Sequence, residues 1–296
     1  MTGLPLPDLR ERVLTGIMLT SAAYFVFSLQ DAAIKLMVVG FSVWQILFFR
    51  SVTILAIGLA TGGFRLFADS ARSPILKSML LRSFLILSAW LCYYTASRDL
   101  QLAELTTIYF AAPVIVTILS VALLKEAVPP VRWIAVVVGF VGVFLACNPV
   151  HLGLSTPVLL VLAAAFLWAL SIVLLRMIAK RERTIVQLVL NNAFFLVTAG
   201  VPMLLYWRTP TLPELGMLVG IGVLGGVAQF TLFEGMKHAP ASVIAPFEYT
   251  SLVWAFGLGY LIWNDVPRPE VYLGAALIMG AGLLIIASER FRARPA

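Results

Sequence analysis

A handful of ionisable and amide side chains fall inside stretches of chain too apolar to leave them alone. Asp31, Lys35, Arg50, Arg82, Asn192, Glu234 and Glu248 each interrupt an apolar run. A charge in hydrocarbon costs ~2.5–3.5 kcal/mol on insertion scales, so each needs a partner or a wet cavity, and such residues mark binding, proton transfer or gating. Asp31 and Arg50 fall at similar depth in consecutive runs, and Lys35 follows Asp31 by one helical turn on the same face. They predict one polar layer, Asp31–Arg50–Lys35. Arg82, Glu234, Glu248 and Asn192 predict a second, near the other surface. Between the layers lie aromatic, hydroxyl and amide groups: Tyr24, Ser28, Trp90, Tyr94, Tyr109, Trp168, Gln229, Phe233 and Tyr249. A buried tyrosine hydroxyl needs a hydrogen-bond partner. A cavity lined this way suits a flat amphipathic molecule, with cation–π capture of an ammonium group available. Pro113 and Pro246 each delete a backbone hydrogen bond and predict kinked helices beside that cavity.

Other chemistry is missing. The only histidines, His151 and His238, fall in short loops at opposite faces, and Cys92 and Cys147 both lie in apolar runs. No nucleophile–base pair, metal-ligand spacing or cofactor fingerprint is present, so no catalytic residue, metal or cofactor is expected.

The elements that must position these groups are membrane spans. Of 296 residues 61% are hydrophobic and 12% charged, and the mean hydropathy of +1.00 lies outside the range of soluble domains. Ten apolar runs predict ten transmembrane helices, at 14–38, 43–62, 75–96, 102–124, 133–146, 157–179, 185–206, 215–236, 243–263 and 271–287. The stretch 64–74 reads as a polar loop. Run 14–38 continues past Ser21-Ala22-Ala23 and does not read as a cleaved signal peptide. The net charge of +7 would suit nucleic acid, but its distribution follows topology. With the N-terminus inside, fifteen of the 21 lysines and arginines fall on the cytoplasmic side. Only Arg98, Arg208 and Arg268 fall outside, and three lie within spans. The positive-inside rule thus predicts cytoplasmic tails at 1–12 and 290–296, a bilayer as partner and no nucleic acid.

The chain also repeats itself. Residues 97–147 lie over 235–285 without a gap, at an offset of 138: Ala103 on Ala241, Tyr109 on Phe247, Pro129 on Pro267, Gly142 on Gly280. Further upstream Lys35 matches Arg176 and Gln45 matches Gln187, so Arg50 pairs with Asn192. Two repeats follow, 13–148 and 154–289, of five spans each. An odd number makes the second enter the bilayer from the opposite side. The expected fold is an all-α polytopic membrane protein of two inverted five-helix repeats. Small residues four apart (Ala135/Gly139, Ala276/Gly280, Gly216/Gly220, Gly222/Gly226) predict close helix contacts.

In order and spacing these features resemble the drug/metabolite transporter superfamily, in its EamA-type branch of ten-helix carriers. The marks are Ala165-Phe166-Leu167-Trp168-Ala169, Ala111-Ala112-Pro113, Leu124-Lys125-Glu126 and the glycine-rich fifth and tenth spans. The second copy departs from the pattern, with Asn264 opposite Glu126. The aromatic content is similar to the YddG-type aromatic amino acid exporters. The resemblance implies a secondary transporter of a bacterial inner membrane that exports small metabolites by alternating access, amino acids (aromatic or apolar) being the expected substrates. Carriers of cationic compounds or nucleotide sugars are the alternatives within the superfamily, and a membrane-embedded enzyme the alternative outside it. Whether the chain acts as monomer or homodimer is left open.

Overall fold

A computed structural model describes residues 9–125, 130–147, 155–178, 184–238, 248 and 250–292. In the first half the helices are α1 (Leu9–Met37), α2 (Val43–Gly62), α3 (Arg65–Ala71), α4 (Leu76–Ala96), α5 (Leu102–Tyr109), α6 (Ala111–Leu124) and α7 (Pro130–Cys147). In the second they are α8 (Thr156–Ile178), α9 (Thr184–Leu205), α10 (Leu212–His238), α11 (Thr250–Trp263) and α12 (Pro269–Arg292). Among the described residues there is no strand. Seven spans are long and apolar enough to cross a bilayer, with α5 and α6 together making one. Three shorter apolar helices lie at Trp133–Ala146, Thr250–Trp263 and Pro269–Leu284.

Local chemistry sets the helix ends. The Ser42 side chain accepts from the Gln45 N–H to start α2, and Gln101 with Glu104 forms a capping box at α5. Pro130 and Pro269 occupy the first positions of α7 and α12, where a missing N–H costs nothing. Pro113 acts differently. It has no N–H for the carbonyl of Tyr109, four residues back, and the fourth span breaks there, between α5 and α6 at Phe110. Pro246 lies outside the described residues. The stretch read as a polar loop instead carries α3, which packs on α9, its Ser70 hydroxyl reaching the Val186 carbonyl at 3.3 Å.

Helix packing repeats as the sequence does. Taking α1, α2, α4, α5–α6 and α7 as counterparts of α8 to α12, the largest contacts between the halves map onto one another or onto themselves. α1 lies along α10, and α8 along α4; α1 meets α11, and α8 meets α5–α6; α2 meets α10, and α9 meets α4. Three contacts map onto themselves, α2 with α9, α5–α6 with α11 and α7 with α12. These self-paired contacts therefore mark the pseudo-twofold axis.

The α7–α12 contact depends on glycine. A Cβ on Gly142 would sit 2.8 Å from the Gly274 carbonyl oxygen, so the backbones touch only because neither residue has a side chain. The expected Ala276/Gly280 pair is not at this seam: Ala276 is exposed, and nothing lies within 4 Å of a Cβ on Gly280. Gly274 and Gly280 are six residues apart, about 240° around the helix, so only one can face α7. Nothing would meet a Cβ on Gly216 or Gly220 either, whereas a Cβ on Gly226 would lie 3.4 Å from the Ile54 side chain of α2. Large apolar side chains such as Phe140, Phe144, Val197, Leu204 and Leu261 point outward, as a lipid-facing surface requires.

Candidate functional site

The most buried cation lies on the pseudo-axis. Arg50 of α2 has 0% exposure, and its guanidinium lies over the Trp90 ring of α4, 4.1 Å from the centroid. One Nη1–H donates to Oδ1 of Asn192 on α9 at 3.5 Å, and Asn192 in turn donates to the Leu188 carbonyl at 2.9 Å. Arg50 and Asn192 are repeat counterparts, and counterparts that touch must lie at the axis. Asp31 of α1 lies within the field of Arg50 and close to the Tyr93 hydroxyl, which also lies near Thr106 of α5. The neighbouring Gln30 donates from Nε2 to the Tyr94 hydroxyl at 3.4 Å.

An aromatic wall extends from this cluster. Trp90 meets Phe195 edge-on at 5.2 Å between centroids and tilts against Tyr94 at 6.3 Å. Tyr93 meets Tyr94 at 5.6 Å and Tyr109 at 5.0 Å, both in T-shaped pairs that put ring edges on ring faces. Glu248 lies close enough to Tyr109 and to Tyr24 of α1 to act on both electrostatically. The wall thus runs from Asp31 through Tyr93 and Tyr109 to Glu248, drawing on both halves.

This geometry redraws the two expected layers. Arg50 and Asn192, assigned to opposite layers, are in contact. The arginine side chain is long enough to reach the axis from its own helix, so the layers meet there. Glu248 faces the aromatic middle. Lys35 leaves the Asp31 cluster altogether: its ammonium donates to the Leu100 carbonyl and lies 5.4 Å from the Trp263 ring centroid. A lysine near a helix end reaches toward polar loop groups in preference to the dry interior.

The remaining expected residues scatter around this core. Ser28 bonds its own helix at the Tyr24 carbonyl, 2.9 Å, and Trp168 packs on the main core beside Ser171. The Gln229 side-chain oxygen is buried without a hydrogen-bond partner, as is Nε of Arg82. Arg82 lies on α4 toward the opposite surface, and Glu234 is half-buried on α10. Tyr249 and the side chain of Phe233 lie outside the described residues.

Sequence reasoning passed over one arrangement. At the surface formed by residues 38–42, 97–101, 206–211 and 264–268, the two halves are tied together. Arg268 of the α11–α12 loop donates to Glu104 of α5 at 3.0 Å, with side-chain exposures of 34% and 9%. Arg208 of the α9–α10 loop donates to the Gly40 carbonyl at 3.0 Å and to Glu214 at 2.7 Å. Gln45 of α2 clasps the Arg208 backbone from both sides, donating to its carbonyl at 2.7 Å and accepting from its N–H at 3.2 Å. The signal lay in Gln101-x-x-Glu104, a capping box whose acid falls at a span's mouth. In the sequence Arg268 stands out only as one of the external charges of the topology.

The model of the EamA-like transporter family matches residues 14–147 and, a second time, 155–287. The chain belongs to that family. This EamA-like transporter is 30% identical over 250 residues to an S-adenosylmethionine uptake transporter of Rickettsia bellii (strain RML369-C), a match covering 82% of each chain. It is 25% identical over 285 residues to the pseudopaline exporter CntI of Pseudomonas aeruginosa strain PAO1, covering 93% of this chain and 97% of that one. A solved crystal structure shares the fold with a TM-score of 0.67 at 19% identity, over 95% of this chain and 99% of the other. The EamA-like transporter is therefore a multi-pass membrane carrier of small molecules and no enzyme. The narrower likeness to aromatic amino acid exporters is not confirmed by these relatives.

Proposed function

We propose that this chain is a secondary transporter of small metabolites bearing an amino-acid group, working by alternating access between the repeats 13–148 and 154–289. The observation that carries the reading is the position of the polar–aromatic cluster. Arg50 and Asn192 lie buried at the pseudo-axis, with the half-buried Asp31 and the tyrosine wall beside them, on the contact between halves, where a substrate would be exposed to one side or the other as the halves rock. The ties at residues 38–42, 97–101, 206–211 and 264–268 close one surface. With the tails cytoplasmic, as the charge count expects, that surface is external and the structure faces inward. Relatives named for S-adenosylmethionine uptake and for pseudopaline export support a metabolite substrate and leave both directions of flux open to this chain.

The test is flux in liposomes by the purified protein, measured inward and outward, over amino acids and S-adenosylmethionine with and without a pH gradient. Saturable flux of at least one is the expected result; no flux of any overturns the reading. One observation favours a second reading, a carrier of organic cations: Glu248 and Asp31 both act on Tyr109. Two carboxylates bounding an aromatic wall suit a cation without a carboxylate, and in the same assay that reading expects quaternary ammonium compounds to move and zwitterions not to.

A further inference from the structure

Three buried polar atoms without partners converge on a single residue of the opposite half. Arg50 has five N–H donors, and the one hydrogen bond described for them is the long one to Asn192. Its Nε and Nη2, the side-by-side edge that grips a carboxylate, are buried with no partner. The same holds for Oε1 of Gln30, itself 1% exposed. A Cβ built on Gly225 of α10 would lie 2.7 Å from Arg50 Nε, 2.9 Å from Arg50 Nη2 and 2.8 Å from Gln30 Oε1. One point in space is therefore shared by a bidentate donor edge and an acceptor oxygen. Any residue but glycine would cover it.

The face of the guanidinium is already occupied by Trp90, so its edge is where further bonds can form. A cation left with unmade hydrogen bonds in a membrane interior is costly, which argues for a ligand that completes them. The complement of this set is specific: two acceptor oxygens in a plane, with an N–H donor beside them. An α-amino acid head group has that pattern, its carboxylate for Nε and Nη2 and its ammonium for Gln30 Oε1.

The geometry points to Arg50 and Gln30 as the receptor for the α-amino-acid head group of the transported metabolite, with Gly225 as the part of the other half that closes on it. This rests on the carrier reading above and gives it a residue-level site. Because α10 lies against the donor edge, the head group enters only when α10 withdraws from α1 and α2. Binding is thereby coupled to the relative motion of the halves.

The experiment measures flux into liposomes of phenylalanine and of S-adenosylmethionine, each against its analogue lacking the carboxylate charge: phenylalaninamide and decarboxylated S-adenosylmethionine. The wild-type protein is expected to favour at least one carboxylate form by about tenfold or more, a tenfold ratio being about 1.4 kcal/mol. Arg50→Gln removes that preference and Arg50→Lys, a point charge without the fork, keeps only part of it. Gly225→Ala leaves the charge in place but covers the edge, and lowers flux of the carboxylate form more than that of its analogue. An equal loss for both members of a pair in every folded variant makes Arg50 structural and overturns the proposal. So does a wild-type protein that does not distinguish them. Absence of flux for all four compounds instead defeats the amino-acid-metabolite reading of the proposed function, and the receptor with it.

Discussion

The bond between Glu104 and Arg268 crosses from α5 to the α11–α12 loop and closes the surface above the aromatic wall. Its worth follows from its surroundings. A hydrogen bond to a charged partner contributes ~1.5–3 kcal/mol, but a third of the Arg268 side chain is in water, which screens the attraction. About 1–2 kcal/mol remains, a change of roughly 5- to 30-fold in a two-state population. Glu104→Gln keeps the shape and a neutral acceptor while removing the charge, so the closed population falls by that order. The assay places a reporter thiol at Ser97, 2% exposed beneath these loops, in a background with Cys92→Ser and Cys147→Ser. Labelling by a membrane-impermeant thiol reagent then reads how often the surface opens. Glu104→Gln and Arg268→Gln should each speed labelling about 5- to 30-fold, and the double variant should add little, since either change alone breaks the same bond. Unchanged labelling in folded single variants, or fully additive effects, would refute the latch.

Two further outcomes follow from the packing. Gly142→Val sets a branched side chain against the Gly274 carbonyl 2.8 Å from its Cβ, and should cost about 1–3 kcal/mol or more of stability, read as a lower melting temperature in detergent, whereas Gly280→Val should be nearly silent. Gln45→Leu leaves the Arg208 N–H and carbonyl without their clasp and should destabilise by about 1–3 kcal/mol in the same measurement. Breaking the more exposed Arg208–Glu214 pair with Glu214→Gln should leave the melting temperature nearly unchanged, because water screens the attraction.

Much of the fold was legible because membrane spans are long, apolar and punctuated by charge, and because a duplication leaves its register in the sequence. Pro113 announced the break at Phe110 for a local reason: its missing N–H lies four residues from the carbonyl it abandons. The site was legible in its parts more than in their grouping. Span position gives depth along a helix but says nothing of how far a long side chain reaches, so Arg50 and Asn192 were assigned to separate layers although they touch. Lys35 shows the converse, since a helical spacing that permits an Asp31 pair cannot foresee a carbonyl from residue 100 competing for the ammonium. Glycine phase was the least readable. Gly274 and Gly280 look alike in sequence, and only the packed helix pair shows which one is needed.

The contact of Arg50 with Asn192 also bears on how such a chain can arise. A symmetric dimer of five-helix subunits would set identical residues against each other at its axis. Two arginines there would bring like charges together in a dry interior, and two asparagines would leave no cation. Only after the repeat was duplicated could each side of the axis be inherited separately. The charge at the centre of this protein is thus a property that a symmetric homodimer of one repeat could not hold in the same form.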